Sequence, residues 1–163
     1  MLRRWLCAFT LVAVALATTA VSGEHSVPFK GTWTGETISA DPFTTFPVVQ
    51  IVAAGGGEFT HLGKSTMVSP HTTNIFTGLT EGDQIFTAAN GDTLTAFCSG
   101  VPVFDPVSGV VQGTLACEVT GGTGRFADAT GSYTFSLVGN AILLPDGGLG
   151  FATVATIDGA ISY

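Results

Sequence analysis

From Leu149 to Ile161 the chain alternates with a period of two, as Leu149, Phe151, Thr153, Ala155, Ile157, Gly159 and Ile161 occupy every second position. A helix would scatter these residues around its circumference, whereas a strand places all of them on one face. Shorter runs repeat the pattern. In residues 29–37, Phe29 and Trp33 share one face, and Lys30, Thr32, Thr34 and Glu36 share the other. Residues 46–53 are apolar on both faces and read as a central strand. Further strands are expected at 58–68, 74–79, 84–89, 93–99, 110–120 and 132–140, with a two-proline loop at 101–109. Gly55-Gly56-Gly57 reads as a turn. Asn90-Gly91-Asp92 reads as a hairpin turn, because Asn-Gly suits the positive φ values of a type I′ connection. No long 3.6-residue pattern competes. Eight or nine strands at near-regular spacing predict an all-β barrel or sandwich. The closed barrel is preferred, since only 10% of residues are charged and closure removes the edges that charges would otherwise guard.

Residues 1–23 are expected to be a secretory signal peptide that is not part of the domain. Arg3 and Arg4 form a basic start, residues 5–17 are apolar, and Ala20 or Gly23 offers a small-residue cleavage point. The apolar run is short for a membrane span, which takes ~20 residues, and it breaks at Thr18, Thr19 and Ser22. Residues 24–163 then form a single barrel domain, secreted or periplasmic. They hold only Lys30, Lys64 and Arg125 as cations, against all twelve Asp and Glu. Such a chain cannot neutralise a run of phosphates, so nucleic acid is disfavoured as a partner. Anionic membrane surfaces are disfavoured for the same reason.

Cys98 and Cys117 are the cysteines of this region. Leu94, Ala96 and Cys98 share one strand face, as do Leu115, Cys117 and Val119. Both thiols therefore point to the apolar side, and export makes a disulfide between them the expected state. Two buried free thiols are the alternative.

Residues 119–131 read VTGGTGRFADATG. Gly122-x-Gly124-x-x-Ala127 looks like a dinucleotide-binding turn, but that turn needs a helix whose N-terminus holds the pyrophosphate. Only residues 125–129 could be helical before Thr130-Gly131 and the alternating strand that follows. A parallel crossover needs a dozen or more residues. A calcium-binding Gly-Gly-x-Gly-x-Asp repeat fails as well, because Phe126 stands in the Asp position. The stretch reads instead as a corner. Gly121, Gly122 and Gly124 permit positive φ. Phe126 plugs back into the core, Arg125 pairs with Asp128 or binds carbonyls of the same corner, and Gly131 restarts the chain as a strand.

Gly-Gly-Thr-Gly-Arg-Phe-x-x-Ala-x-Gly, followed by an alternating strand, resembles the corner of allene oxide cyclase and dirigent-type barrels. Residues 60–64 and 89–94 resemble small bacterial secreted proteins related to those barrels. The resemblance implies a small, closed, antiparallel eight-stranded β-barrel, and the trimers of the plant members imply a homo-oligomer. The matching residues are turn residues, so the resemblance speaks to fold and carries over no catalytic group.

Candidate chemistry is sparse. His61 alternates with Phe59 and Met67 and is expected to face the lumen. Tyr133 shares a face with Phe135 and Leu137. These two are the catalytic candidates, set against a hydrogen-bonded histidine and an ordinary core tyrosine. Trp33, Phe59, His61, Tyr133 and Phe135 are the candidate ligand contacts, with plain core packing as the alternative. His71, beside Pro70, is expected in an exposed loop. Glu36 and Glu118 read as outward-facing, and Asp92 as bonding its own turn. No metal-ligand spacing and no cofactor motif appears. Three functions follow. The first is binding of a small apolar ligand in the barrel mouth. The second, implied by the resemblance, is a cofactor-free cyclase, isomerase or dirigent-like enzyme. The third is a structural or surface-interaction protein with a filled barrel. Binding ranks first, and the lining of the interior is what discriminates.

Overall fold

Each alternating run hydrogen-bonds antiparallel to its neighbour in sequence, and the last run returns to the first. The computed structural model describes residues 25–163, so the expected leader and its cleavage points, Ala20 and Gly23, lie outside the described residues. The strands are β1 (Val27–Asp41), β2 (Val48–Phe59), β3 (Gly63–Asn74), β4 (Thr80–Ala88), β5 (Thr93–Gly100), β6 (Val103–Asp105), β7 (Val110–Gly122), β8 (Thr130–Leu143) and β9 (Leu149–Ser162). β5 pairs with β7 and β1 pairs with β9, which closes eight strands into an up-and-down barrel. The short β6 lies outside that count. It follows β5 after Val101-Pro102 and pairs with Val110–Gln112 at the start of β7.

The glycine triplet is not a turn. β2 runs straight through Gly55, Gly56 and Gly57, and the chain reverses at residues 60–62. A Cβ on Gly55 would lie 2.2 Å from Thr34 O, and one on Gly57 would lie 2.1 Å from Thr32 O. The two strands approach too closely here for side chains, which is a recognised use of strand glycine. Gly55 and Gly57 therefore serve the close packing of β2 on β1. The expected strand at 58–68 straddles this hairpin. The expected strand at 74–79 is mostly the connection between β3 and β4, because Asn74 Oδ1 accepts the N–H groups of Phe76 and Thr77 and bends the chain. The proline loop gains a short strand, β6.

One end of the barrel is solid. Phe29, Phe59, Phe86 and Tyr133 interlock there, with ring centroids 5.0–6.3 Å apart in edge-to-face and stacked pairs. Leu94, Phe126, Ile157 and Ile161 complete this plug. Cys98 and Cys117 are bonded to each other across β5 and β7, so the two thiols share the inner face as their alternation predicts.

The glycine corner caps the plugged end. Its only helical residues are a single 3-10 turn, Gly124–Phe126, and Phe126 is fully buried. Thr123 N donates to Thr93 O at 2.9 Å, and Thr93 N donates to Thr123 Oγ1 at 2.9 Å, which stitches the corner to the β4–β5 hairpin. Arg125 does not pair with Asp128 and does not bind a carbonyl of its own corner. Its guanidinium donates to the carbonyl of His61 in the β2–β3 turn and lies 4.8 Å from the Phe126 ring centre. The correction has a simple cause: closure brings two sequence-distant turns together at one barrel end.

The space that a dinucleotide turn would offer a phosphate is occupied from within. Gly124 has φ 58°, and a Cβ there would sit 1.8 Å from Asp92 Oδ1. Gly124→Ala is therefore expected to cost more than the ~1–2 kcal/mol of a left-handed non-glycine residue. Gly63→Ala, at φ 67° with open space around it, supplies the comparison. Urea melts of the two variants should place Gly124→Ala clearly lower. Equal midpoints would show that the Asp92 contact is of no consequence.

Candidate functional site

Beyond the plug the barrel is hollow. The lumen is a cavity of about 640 Å³, within the ~300–1,000 Å³ range of small-molecule sites. Its floor is Trp33, Met67, Gln84, Cys98 and Phe135, and its walls include Ala53, Ser69, His71, Leu115 and Leu137. It opens at the barrel end opposite the glycine corner, between the β1–β2, β3–β4, β6–β7 and β8–β9 connections. Pro102, Phe104 and Pro106 of the β6–β7 hairpin line the mouth, where Phe104 meets Phe151 edge-on at 5.3 Å. A second concavity of similar volume lies on the outer wall around Gly56, Lys64, Thr66 and Thr87. Several of these lining residues are exposed, and its one buried polar residue, Ser65, donates its hydroxyl to Leu62 O.

The polar groups of the lumen are few and mostly engaged. Tyr133 O–H donates to Gln84 Oε1 at 2.8 Å, and both residues are buried. Burial pushes the Tyr133 phenol well above its ordinary value, so it stays protonated and remains a donor. It belongs to the plug, just under the floor. Gln84 carries a signal that sequence reading could have used: it shares its strand face with Phe86 and Ala88, and a polar residue on an apolar stripe needs a partner. Among the described residues the indole N–H of Trp33 finds no hydrogen-bond partner, although the residue is only 2% exposed.

The histidines exchange their expected places. His61 is exposed, at φ 68° in the β2–β3 turn of the plugged end, with its ring near Tyr163. The alternation from Phe59 to Met67 crosses the chain reversal at residues 60–62, and the reversal cancels it. His71 is not in an exposed loop. It faces the lumen from β3, where Gly82 opposite it leaves room. Its Nδ1 lies 2.9 Å from Ser69 O. Burial lowers its pKa below the ordinary 6.5. The neutral ring therefore donates from Nδ1 to that carbonyl and keeps Nε2 as an acceptor.

This shift sets a pH dependence. The unfolded chain takes up the proton before the folded chain does, so folding stability is complete above about pH 6.5 and falls as pH drops toward the folded-state value. Thermal melts taken between about pH 8 and pH 5 should show this decline, and His71→Gln should flatten it. A wild-type profile as flat as the variant's would contradict the assignment.

Of the five expected ligand contacts, Trp33 and Phe135 line the lumen, Phe59 and Tyr133 lie in the plug, and His61 is outside. Glu36 and Glu118 are exposed on the outer wall. Glu81 borders the cavity but is exposed, on the outward register of β4. Among the described residues no other carboxylate lines the cavity, and none of Lys30, Lys64 and Arg125 does. Among the described residues no three His, Cys, Asp or Glu side chains gather as a metal site requires.

Fold and site together define a class: a small antiparallel up-and-down barrel, plugged at one end, with a mainly apolar lumen open at the other. No protein-family model matches the chain, and no curated protein matches it. Among solved structures the chain is similar to a pterocarpan synthase dirigent protein, at 15% identity over 85% of this chain and 86% of that one, with a TM-score of 0.47. The barrel assignment rests on the strand pairing itself.

Proposed function

We propose that the protein is a secreted binding module that holds a small, uncharged, apolar ligand in its lumen. The observation that carries this reading is the lumen itself: about 640 Å³, walled mainly by apolar side chains, with Glu81 the one carboxylate among its described lining residues, and that one exposed at the edge. A carboxylate or phosphate ligand would be desolvated there without a cation to pair it, which is costly. His71 Nε2, the Trp33 N–H and the wall hydroxyls of Ser69 and Thr73 are enough to orient a ligand. A lone neutral histidine without a carboxylate is a poor acid–base pair, so binding is favoured over a cyclase-like reaction. Export and removal of residues 1–23 form part of the proposal, supported by the Cys98–Cys117 disulfide. So does kinship with allene oxide cyclase and dirigent barrels, which rests on the corner residues.

Filling the lumen tests the reading. Ala53→Phe adds a ring to the wall and leaves the plug untouched. Titration with Nile red, a neutral apolar dye, should show at least roughly tenfold weaker binding, equivalent to ~1.4 kcal/mol, with little change in melting temperature. Undiminished dye binding would place the site elsewhere. Mass spectrometry of extracellular protein reads the N-terminus directly, and a retained residue 1–23 segment would remove the export proposal.

A further inference from the structure

The six most exposed large apolar residues among those described all stand at the mouth of the lumen. Val107, Phe43, Leu143 and Phe76 are 95, 90, 82 and 74% exposed, and Val103 and Phe46 follow. The β1–β2, β3–β4 and β6–β7 connections each contribute at least one, and Leu143 ends β8 beside the fourth. Such a concentration marks a surface that leaves water in use.

The backbone of these tips is prepared for the same change. Asp41 Oδ1 accepts the N–H groups of Phe43 and Thr44 at 2.9 and 3.1 Å. Asn74 Oδ1 accepts those of Phe76 and Thr77 at 3.0 and 3.2 Å. Asp105 Oδ1 accepts Val107 N–H at 2.9 Å, while Ser108 Oγ donates to its other oxygen at 2.6 Å. Asp146 Oδ1 accepts Gly148 N–H at 2.9 Å. In three of the four loops the apolar tip residue has its own N–H satisfied by the side chain two positions earlier. An unpaired N–H is what ordinarily keeps a loop out of an apolar medium, and here that obstacle is removed at the positions that project furthest.

Charge selects the medium. The cations of the described chain lie toward the plugged end: Lys30 pairs with Asp158 at 3.0 Å, Lys64 begins β3, and Arg125 holds the corner. The rim carries Asp41, Asp105 and Asp146. Hydrogen bonds to Thr44 and Ser108 hydroxyls, and to loop N–H groups, hold Asp41 and Asp105 below the usual carboxylate range. They are ionised at neutral pH and repel an anionic surface.

We propose that the four mouth loops dock on an electrically neutral lipid surface, inserting Phe43, Phe76 and Val107, so that the lumen opens onto the bilayer. An apolar ligand then passes between lipid and lumen without crossing water. A fluid bilayer accepts four separate tips of different length. A second copy meeting the first mouth to mouth would bring the acidic rims together and seal both cavities. Docking goes beyond ligand binding and is read independently of it.

The test uses the full chain with phosphatidylcholine vesicles, with and without phosphatidylglycerol. Binding to phosphatidylcholine alone is expected, and added anionic lipid should weaken it at low salt. Hydrogen exchange with vesicles present should slow in residues 42–46, 75–79, 102–109 and 144–148, but not in 60–62, 89–92 or 123–129. Phe43→Ser/Val107→Ser, at two positions with almost no packing, should bind vesicles at least tenfold more weakly while still taking Nile red. Wild type and variant share the same N-terminal residues, so their difference reads the rim. Unchanged vesicle binding by the variant overturns the proposal, as does protection confined to the plugged end or a dependence on anionic lipid. Rim protection without vesicles, rising with protein concentration alongside a dimer mass, overturns it in favour of a second copy. Loss of dye binding by Ala53→Phe with docking intact, or the reverse, separates the lumen from the rim.

Discussion

Phe86→Ala is expected to lower the unfolding free energy by about 3–5 kcal/mol, the usual cost of emptying a buried phenylalanine site. Phe86 is fully buried and touches three other rings, with centroids 5.0 Å from Phe59, 5.9 Å from Phe29 and 6.2 Å from Tyr133. The three neighbouring rings come from three different strands, so no single one of them can shift to fill the hole. The void would also lie directly beneath the lumen floor, near the Tyr133–Gln84 hydrogen bond. The pocket should deepen as the protein weakens, and larger apolar probes should bind better than in wild type. Phe86→Leu retains most of the volume and should cost less. Urea unfolding measures both. A loss under about 1 kcal/mol for the alanine variant, well below the range for such sites, would mean that the plug is loosely packed and that the floor is not where the structure places it.

Replacing Cys98 and Cys117 together by alanine is expected to cost about 3 kcal/mol, from loop entropy restored to the unfolded chain. The bridge spans 19 positions and joins β5 to β7, which are separated in sequence by the β6 hairpin. Here the sheet closes without a direct turn, so the covalent link stands in for a short hairpin. At this chain length the loss corresponds to roughly 6–12 °C in melting temperature. A reductant should lower the wild-type transition by a similar amount and leave the double variant unmoved. An equal response from both proteins would show that the bond does not form. Both cysteines are 2% exposed, so some packing loss adds to the entropic term.

The strands were legible because a period-two pattern is written into adjacent residues. That local rule puts Trp33, Phe135, Cys98 and Cys117 on the inner face, where they are buried, and the corner's one aromatic, Phe126, is buried as well. The same rule failed wherever the chain reversed unseen. Phe59 and Met67 place His61 on the lumen face by alternation, yet a turn separates them. Pro70 and Thr72 make His71 look like loop, yet β3 runs through all three. Gly55, Gly56 and Gly57 look like a turn in isolation. Only the close approach of β1 explains why they form a strand.

By itself the sequence determined the all-β class, the faces of most strands, the cysteine pair and the corner, because each follows from neighbours a few residues apart. The tertiary structure alone decided where the plug stops and the cavity begins, which histidine enters it, and that the apolar loop tips gather at one rim. Those outcomes depend on how eight strands cross and how their inward side chains add up in volume. Residues that share a cross-section of the barrel come from distant parts of the chain, and no local pattern records their sum.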